Sequence, residues 1–105
     1  MNTLQEKATP PKFQLTLYIA GDEPNSRLAI RNLREVCTGV LAMQCVIEEV
    51  DVYQDFQRAL KDRVIVTPTL IVSTVNPATT ATFYGTLHDT NILLNHLGSE
   101  AVRNG

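Results

Sequence analysis

The sequence predicts a single α/β domain with its elements in the order βαβαββα. Three observations carry this prediction. An apolar run from Phe13 to Ala20 passes through Gly21 straight into residues suited to starting a helix. A second run, Cys45 to Tyr53, is rich in β-branched residues and follows that helix at a distance suiting a right-handed crossover to a parallel strand. Finally, Val66-Thr67-Pro68-Thr69-Leu70-Ile71-Val72 sets a Thr-Pro-Thr turn directly before an apolar run that fits a strand. Only an X-Pro bond adopts the cis form routinely, at a cost of about 0.5–1 kcal/mol.

The first strand begins with alternation and becomes continuously apolar, as does a strand entering a sheet covered on both faces. Gly21 ends it. Pro24 suits a first helical turn, and the side-chain oxygens of Asn25 and Ser26 are placed to accept free amide hydrogens there. Ala29, Leu33, Val36 and Cys37 then form one apolar stripe of a helix over residues 24–37, which Thr38-Gly39 stops. After the second strand, Asp55 to Arg63 fits a short helix burying Phe56, Ala59 and Leu60, with Gln57, Arg58, Lys61 and Asp62 in water. The Thr-Pro-Thr strand follows. Asn76-Pro77 marks a turn, and Thr79 to Tyr84 reads as an antiparallel strand closed by Gly85. Asp89 or Thr90 caps a last helix with Ile92, Leu93, Leu94 and Leu97 facing inward and Gly98 at its end. Residues 1–12 are expected to be a disordered lead-in, 13–98 the domain and 99–105 a flexible tail.

Composition narrows the function classes. With 105 residues, 44% of them hydrophobic, the chain suits one core and is too small for two. Nine basic and eleven acidic residues give a net charge of -2, so no global field favours nucleic acid or an anionic membrane. No apolar run approaches the roughly 18 residues needed to span a bilayer, and residues 1–12 lack the apolar stretch of a signal peptide. A cytoplasmic location is therefore expected. Cys37 and Cys45 read as buried packing thiols in a reducing compartment. His88 and His96 share no metal-ligand spacing with them, so neither metal nor cofactor is expected.

The chemistry-bearing residues point away from catalysis. The turn before Leu70 resembles an element of thioredoxin-like domains, in which the proline faces a dithiol at the amino end of the first helix. There the helix dipole and free amides stabilise a thiolate. Here that place reads Asp22-Glu23-Pro24-Asn25-Ser26 and holds no cysteine, so thiol exchange through a mixed disulfide has no nucleophile. Cys37 lies roughly 20 Å further along the helix, at ~1.5 Å per residue. Ser26 has no histidine motif to activate it. Glu48, Glu49 and Asp51 read as a solvated strand edge, and the lone Gly21 followed by acids makes no phosphate loop. Arg27, Arg31 and Arg34 align along one helix flank; with Lys61 and Arg63 added from the next helix, they form the candidate strip for an acidic partner surface.

Two segments carry a closer resemblance. Leu17-Tyr18-Ile19-Ala20-Gly21-Asp22-Glu23-Pro24-Asn25-Ser26 resembles the LYVAGNTPNS signature of the KaiB family of circadian clock proteins, and Arg63-Val64-Ile65-Val66-Thr67-Pro68-Thr69-Leu70 resembles its KILATPTL segment. Val50-Asp51-Val52 is similar to its VIDV strand. The resemblance implies a protein without catalytic activity that binds the ring-shaped ATPase KaiC and competes with a histidine kinase of similar sensor fold. It also implies a choice between the thioredoxin-like βαβαββα fold and a ground-state fold with a rearranged C-terminal half, and a capacity for dimers or tetramers. Gly21, Pro24, Asn25, Ser26, Thr67 and Pro68 are then structural turn residues. Arg63 stands where the family has a lysine that contacts KaiC, whereas Arg27 stands where it has an apolar residue. Val75 to Tyr84 replaces the family's proline triplet and cations, and Gly85-Thr86-Leu87-His88 replaces its GDLS, a change that favours the thioredoxin-like state. The alternative reading is a thioredoxin-like redox or stress-response protein without a clock role.

Overall fold

The computed structural model describes residues 12–75 and 77–104. Four strands, β1 (Phe13–Ile19), β2 (Cys45–Asp51), β3 (Thr69–Val75) and β4 (Ala78–Tyr84), form one mixed sheet in the order β2-β1-β3-β4. β1 runs parallel to β2 and antiparallel to β3, and β3 is antiparallel to β4. The helices are α1 (Pro24–Val36), the single turn α2 (Gly39–Ala42), α3 (Phe56–Lys61) and α4 (Thr90–Asn104). The order is the predicted βαβαββα, with α2 as an unforeseen turn between α1 and β2.

Side-chain alternation along β1 divides the interior into two unequal parts. Phe13, Leu15, Leu17 and Ile19 join Ala29, Leu33 and Val36 of α1 and Leu93 and Leu97 of α4 in the large cluster, with Leu70 and Val72 of β3. Each fully buried leucine there contributes roughly 1.5–3 kcal/mol. Phe83 of β4 extends this side and meets the His96 ring edge-on at 5.4 Å. On the opposite face Tyr18, Val50 and Ala59 form a small cluster, flanked by Val52, Val64 and Ile71. The helices are thus segregated: α1 and α4 cover one face, α3 the other.

Several local expectations need correction. Of the stripe assigned to α3 only Ala59 is buried; Phe56 is 60% and Leu60 54% exposed. A six-residue helix seated on the sheet through one small residue leaves its larger neighbours outside the contact. In α4, Leu93 and Leu97 face inward but Ile92 and Leu94 are exposed. This helix also does not stop at Gly98; it continues to Asn104 and buries Glu100, where a flexible tail was expected. The tail's last residue, most of the lead-in (residues 1–11) and Asn76 of the turn signal lie outside the described residues.

Candidate partner-binding site

The loop between β1 and α1 is held from two sides. Gly21 has φ +56°, and a Cβ there would come within 3.3 Å of the Tyr53 ring, so both backbone conformation and space call for glycine. Its N–H donates to Asp51 Oδ1 at 3.1 Å, and the same oxygen accepts from Tyr53 N–H at 3.0 Å. Asp51 therefore ties the β1–α1 loop to the β2–α3 loop, a role its place in an acidic run did not suggest. Ser26, fully buried, accepts from the Ala20 N–H at 3.1 Å. This corrects the capping expectation: the helix starts at Pro24 after an extended Glu23 with no side-chain cap, and Ser26 fastens the strand end instead. Asn25 is exposed.

The Thr67–Pro68 peptide bond is cis. The Pro68 carbonyl accepts from Gly85 N–H at 3.0 Å, and Thr69 Oγ1 donates to the Val66 carbonyl at 2.6 Å. Between this turn and the β1–α1 loop lies a groove of about 350 Å³ whose walls include Tyr53, Phe56, Leu60, Val64, Ile65 and Thr67. Tyr53, Phe56, Leu60, Ile65 and Val66 are all exposed, Ile65 at 91%. Exposed apolar side chains gathered in this way make the groove a candidate contact surface. Sequence reasoning missed it because it assigned Phe56 and Leu60 to the core; the signal was the apolar pair Ile65-Val66 with no strand to belong to.

Arg63 stands at the end of α3 in an unusual backbone state. Arg63 N–H donates to Leu60 O at 3.0 Å and Val64 N–H to Ala59 O at 2.9 Å, the paired bonds of a Schellman ending, which places Arg63 at the left-handed position with φ +60°. Glycine usually fills that position, since a side chain there costs roughly 1–2 kcal/mol. Arg63 and Lys61 are exposed and form no ion pair among the described residues.

Beneath α3 a polar network holds the helix to the sheet. Buried Tyr18 donates its hydroxyl to Asp62 Oδ2, and burial, reinforced by that carboxylate, pushes its phenol up to about 12. Both terminal guanidinium nitrogens of Arg58 donate to the Glu48 carboxylate at 2.5 Å; these hydrogen bonds hold the Glu48 carboxyl below its ordinary value and raise that of Arg58. Asp55 caps the helix by accepting from Arg58 N–H at 3.3 Å.

The remaining basic residues lie elsewhere. Arg27, Arg31 and Arg34 border a shallow depression of about 430 Å³ on α1, where Arg27 approaches Asp22 at 3.5 Å and Arg34 bonds Glu49 at 2.7 Å. Arg31 makes no ion pair among the described residues. Because α1 and α3 cover opposite faces of the sheet, the predicted single strip from Arg27 to Arg63 is two separate surfaces. The acidic run is likewise distributed, Glu48 to Arg58, Glu49 to Arg34 and Asp51 to backbone amides. Among the described residues no group of three His, Cys, Asp or Glu could hold a metal ion. Cys37 and Cys45 are free thiols, each half-buried against the large cluster. A hydrogen bond from Cys45 pulls the Cys37 thiol down, and the same contact pushes Cys45 up.

A four-stranded mixed sheet, a cis-proline turn and a helix start bordering one groove, with no cysteine in that helix start, define a thioredoxin-like domain lacking the dithiol. Solved structures of this fold include the N-terminal domain of Synechococcus elongatus SasA, with a TM-score of 0.72 at 21% identity over 92% of this chain and 90% of that one. Thioredoxin from Trypanosoma brucei brucei superposes with a TM-score of 0.69 at 13% identity, over 96% and 85% of the two chains. The KaiB domain matches residues 16–98, and the chain belongs to the KaiB family. Circadian clock protein KaiB3 of Synechocystis sp. is 40% identical over 60 residues, 57% of this chain, and the match spans only 59% of that relative's length. The circadian clock oscillator protein KaiB of Prochlorococcus marinus is 34% identical over 77 residues, 73% of this chain and 70% of the relative. Among the described residues no helix is long and apolar enough to cross a membrane.

Proposed function

We propose that this chain is a KaiB-like clock or signalling regulator, without catalytic activity, that docks on a KaiC-type ATPase ring. The observation that carries the reading is the groove beside the cis-proline turn, where exposed Phe56, Leu60 and Ile65 lie next to a chain segment bearing the exposed cations Lys61 and Arg63. An apolar centre with a basic rim suits an acidic-rimmed protein surface. Arg31, with Arg27 and Arg34 beside it, offers a second contact on the other face. The clock proteins among its relatives support the reading. A competing histidine kinase, a dimer or tetramer, a cytoplasmic location and a change to the ground-state fold belong to the same proposal. Co-elution of the purified chain with KaiC from its own organism, in both nucleotide states, tests it; Lys61→Glu with Arg63→Glu should abolish the complex, and absence of any complex with the wild type refutes the partner.

The two free thiols, Cys37 and Cys45, are the residues on which a second reading would rest, thiol handling in a redox or stress response. Insulin reduction that disappears in Cys37→Ser would support it. No turnover is expected, since both thiols sit against the large cluster.

A further inference from the structure

The two edges of the sheet are guarded differently. β2, at one edge, carries Glu48, Glu49 and Asp51. β4, at the other, reads Ala78-Thr79-Thr80-Ala81-Thr82-Phe83-Tyr84, without a charge, a proline or a glycine. Natural sheet edges are normally blunted by such residues, and an edge that lacks them offers its backbone to another strand.

The register shows which backbone groups are offered. Thr69 faces Tyr84, and one step further the Gly85 N–H donates to the Pro68 carbonyl at 3.0 Å. Antiparallel alternation then directs the amides and carbonyls of Thr79, Ala81 and Phe83 toward β3, and those of Ala78, Thr80, Thr82 and Tyr84 outward. The same four residues carry the exposed side chains of the strand.

We propose that this edge is the seam of a symmetric dimer, in which β4 pairs antiparallel with β4 of a second copy to make one continuous sheet. With Ala81 facing its own copy, Thr80 meets Thr82 and Ala78 meets Tyr84, and both pairs consist of outward-directed residues able to exchange hydrogen bonds. Two-fold symmetry repeats each pair, so the strand is self-complementary in this register. On the exposed face threonine stands beside threonine, on the helix face Thr79 beside Phe83, and no like charges oppose one another along the strand. The seam has an apolar shoulder as well. A cavity of about 330 Å³ beside the edge is lined by Phe83, Tyr84, Leu87, Ile92 and Leu93, with His88 and Asp89 also on its wall, and Ile92 is left 57% exposed. The seam gives a place to the dimer named under the proposed function, but it is argued from β4 alone and does not require docking on a KaiC-type ring.

Sedimentation of the full chain over a concentration series, with amide hydrogen exchange at both ends of the series, tests it. The mass should double with concentration, and the amides of Thr80, Thr82 and Tyr84 should gain about tenfold protection while those of Thr79, Ala81 and Phe83, already bonded to β3, change little. Thr82→Pro removes an outward amide and leaves the β3 ladder intact; Thr80→Lys places a charge on the exposed face against the second copy and serves if the proline variant does not fold. Each should weaken the dimer about tenfold or more. A single-chain mass throughout, a dimer protected along β2 instead, or a dimer indifferent to Thr80→Lys overturns the proposal.

Discussion

Replacing Arg63 by glycine should make the protein more stable and a poorer binder at once. The left-handed backbone at Arg63, φ +60°, costs a non-glycine residue roughly 1–2 kcal/mol. Glycine removes that cost but adds about 0.4–1 kcal/mol of unfolded-chain entropy, leaving a net gain of roughly 0.5–1 kcal/mol. The two helix-ending bonds are backbone bonds and persist in the variant. With a urea m-value of about 1–3 kcal/mol per molar, the unfolding midpoint should rise by a few tenths of a molar at unchanged m. The same change removes a cation from the rim of the groove, so affinity for the KaiC-type ring should fall about fivefold, within the range of one exposed charge contact. Arg63→Ala separates the effects: it keeps the backbone cost, gains no stability and loses the same affinity. A lower midpoint for Arg63→Gly would refute the backbone argument, and an unchanged affinity would refute the contact.

Ser26→Ala strands the buried Ala20 N–H and should cost about 1–3 kcal/mol, read from urea unfolding; a neutral result would show that the amide finds another acceptor. Tyr18 binds its proton more tightly folded than unfolded, so the stability it contributes is complete below pH 10 and is lost as pH rises toward 12, by about 2–3 kcal/mol in full. Tyr18→Phe should flatten that alkaline decline in unfolding midpoints measured at successive pH values. The Glu48 carboxyl is held below its ordinary value, so its contribution is present above about pH 4.3 and is lost as pH falls through the folded value. Because both Glu48 and Arg58 are substantially exposed, Glu48→Gln should cost only about 0.2–1 kcal/mol, less in high salt, which thermal unfolding at two ionic strengths would show.

The strands and α1 were legible because their signals are local. Alternation in Phe13 to Ile19, the Ala29-Leu33-Val36 stripe and the glycines at the bends each report on their own neighbourhood. What failed depends on partners distant in sequence. Phe56 and Leu60 have a core-like spacing, yet their burial depends on how much sheet α3 covers. Gly98 reads as a stop, but a helix interior tolerates glycine at about 1 kcal/mol when Leu93 and Leu97 anchor one side and buried Glu100 the other. Asp51 looked like one acid among three; its work is done across thirty residues of chain, at Gly21. The five candidate cations were correctly seen as surface residues, but the crossover that sends α1 and α3 to opposite faces divided them.

That division has a dynamic consequence. α1 and α4 share an interior of a dozen buried residues, whereas α3 is moored by Tyr18, Val50 and Ala59 and by the bonds at Asp62 and Glu48. Local opening free energies follow such differences in buried contact. α3, with Arg63 and the wall of the groove, is therefore expected to open at lower free energy than β1 and α1, so that the surface proposed to meet a partner exchanges its amides sooner than the strand and helix behind it.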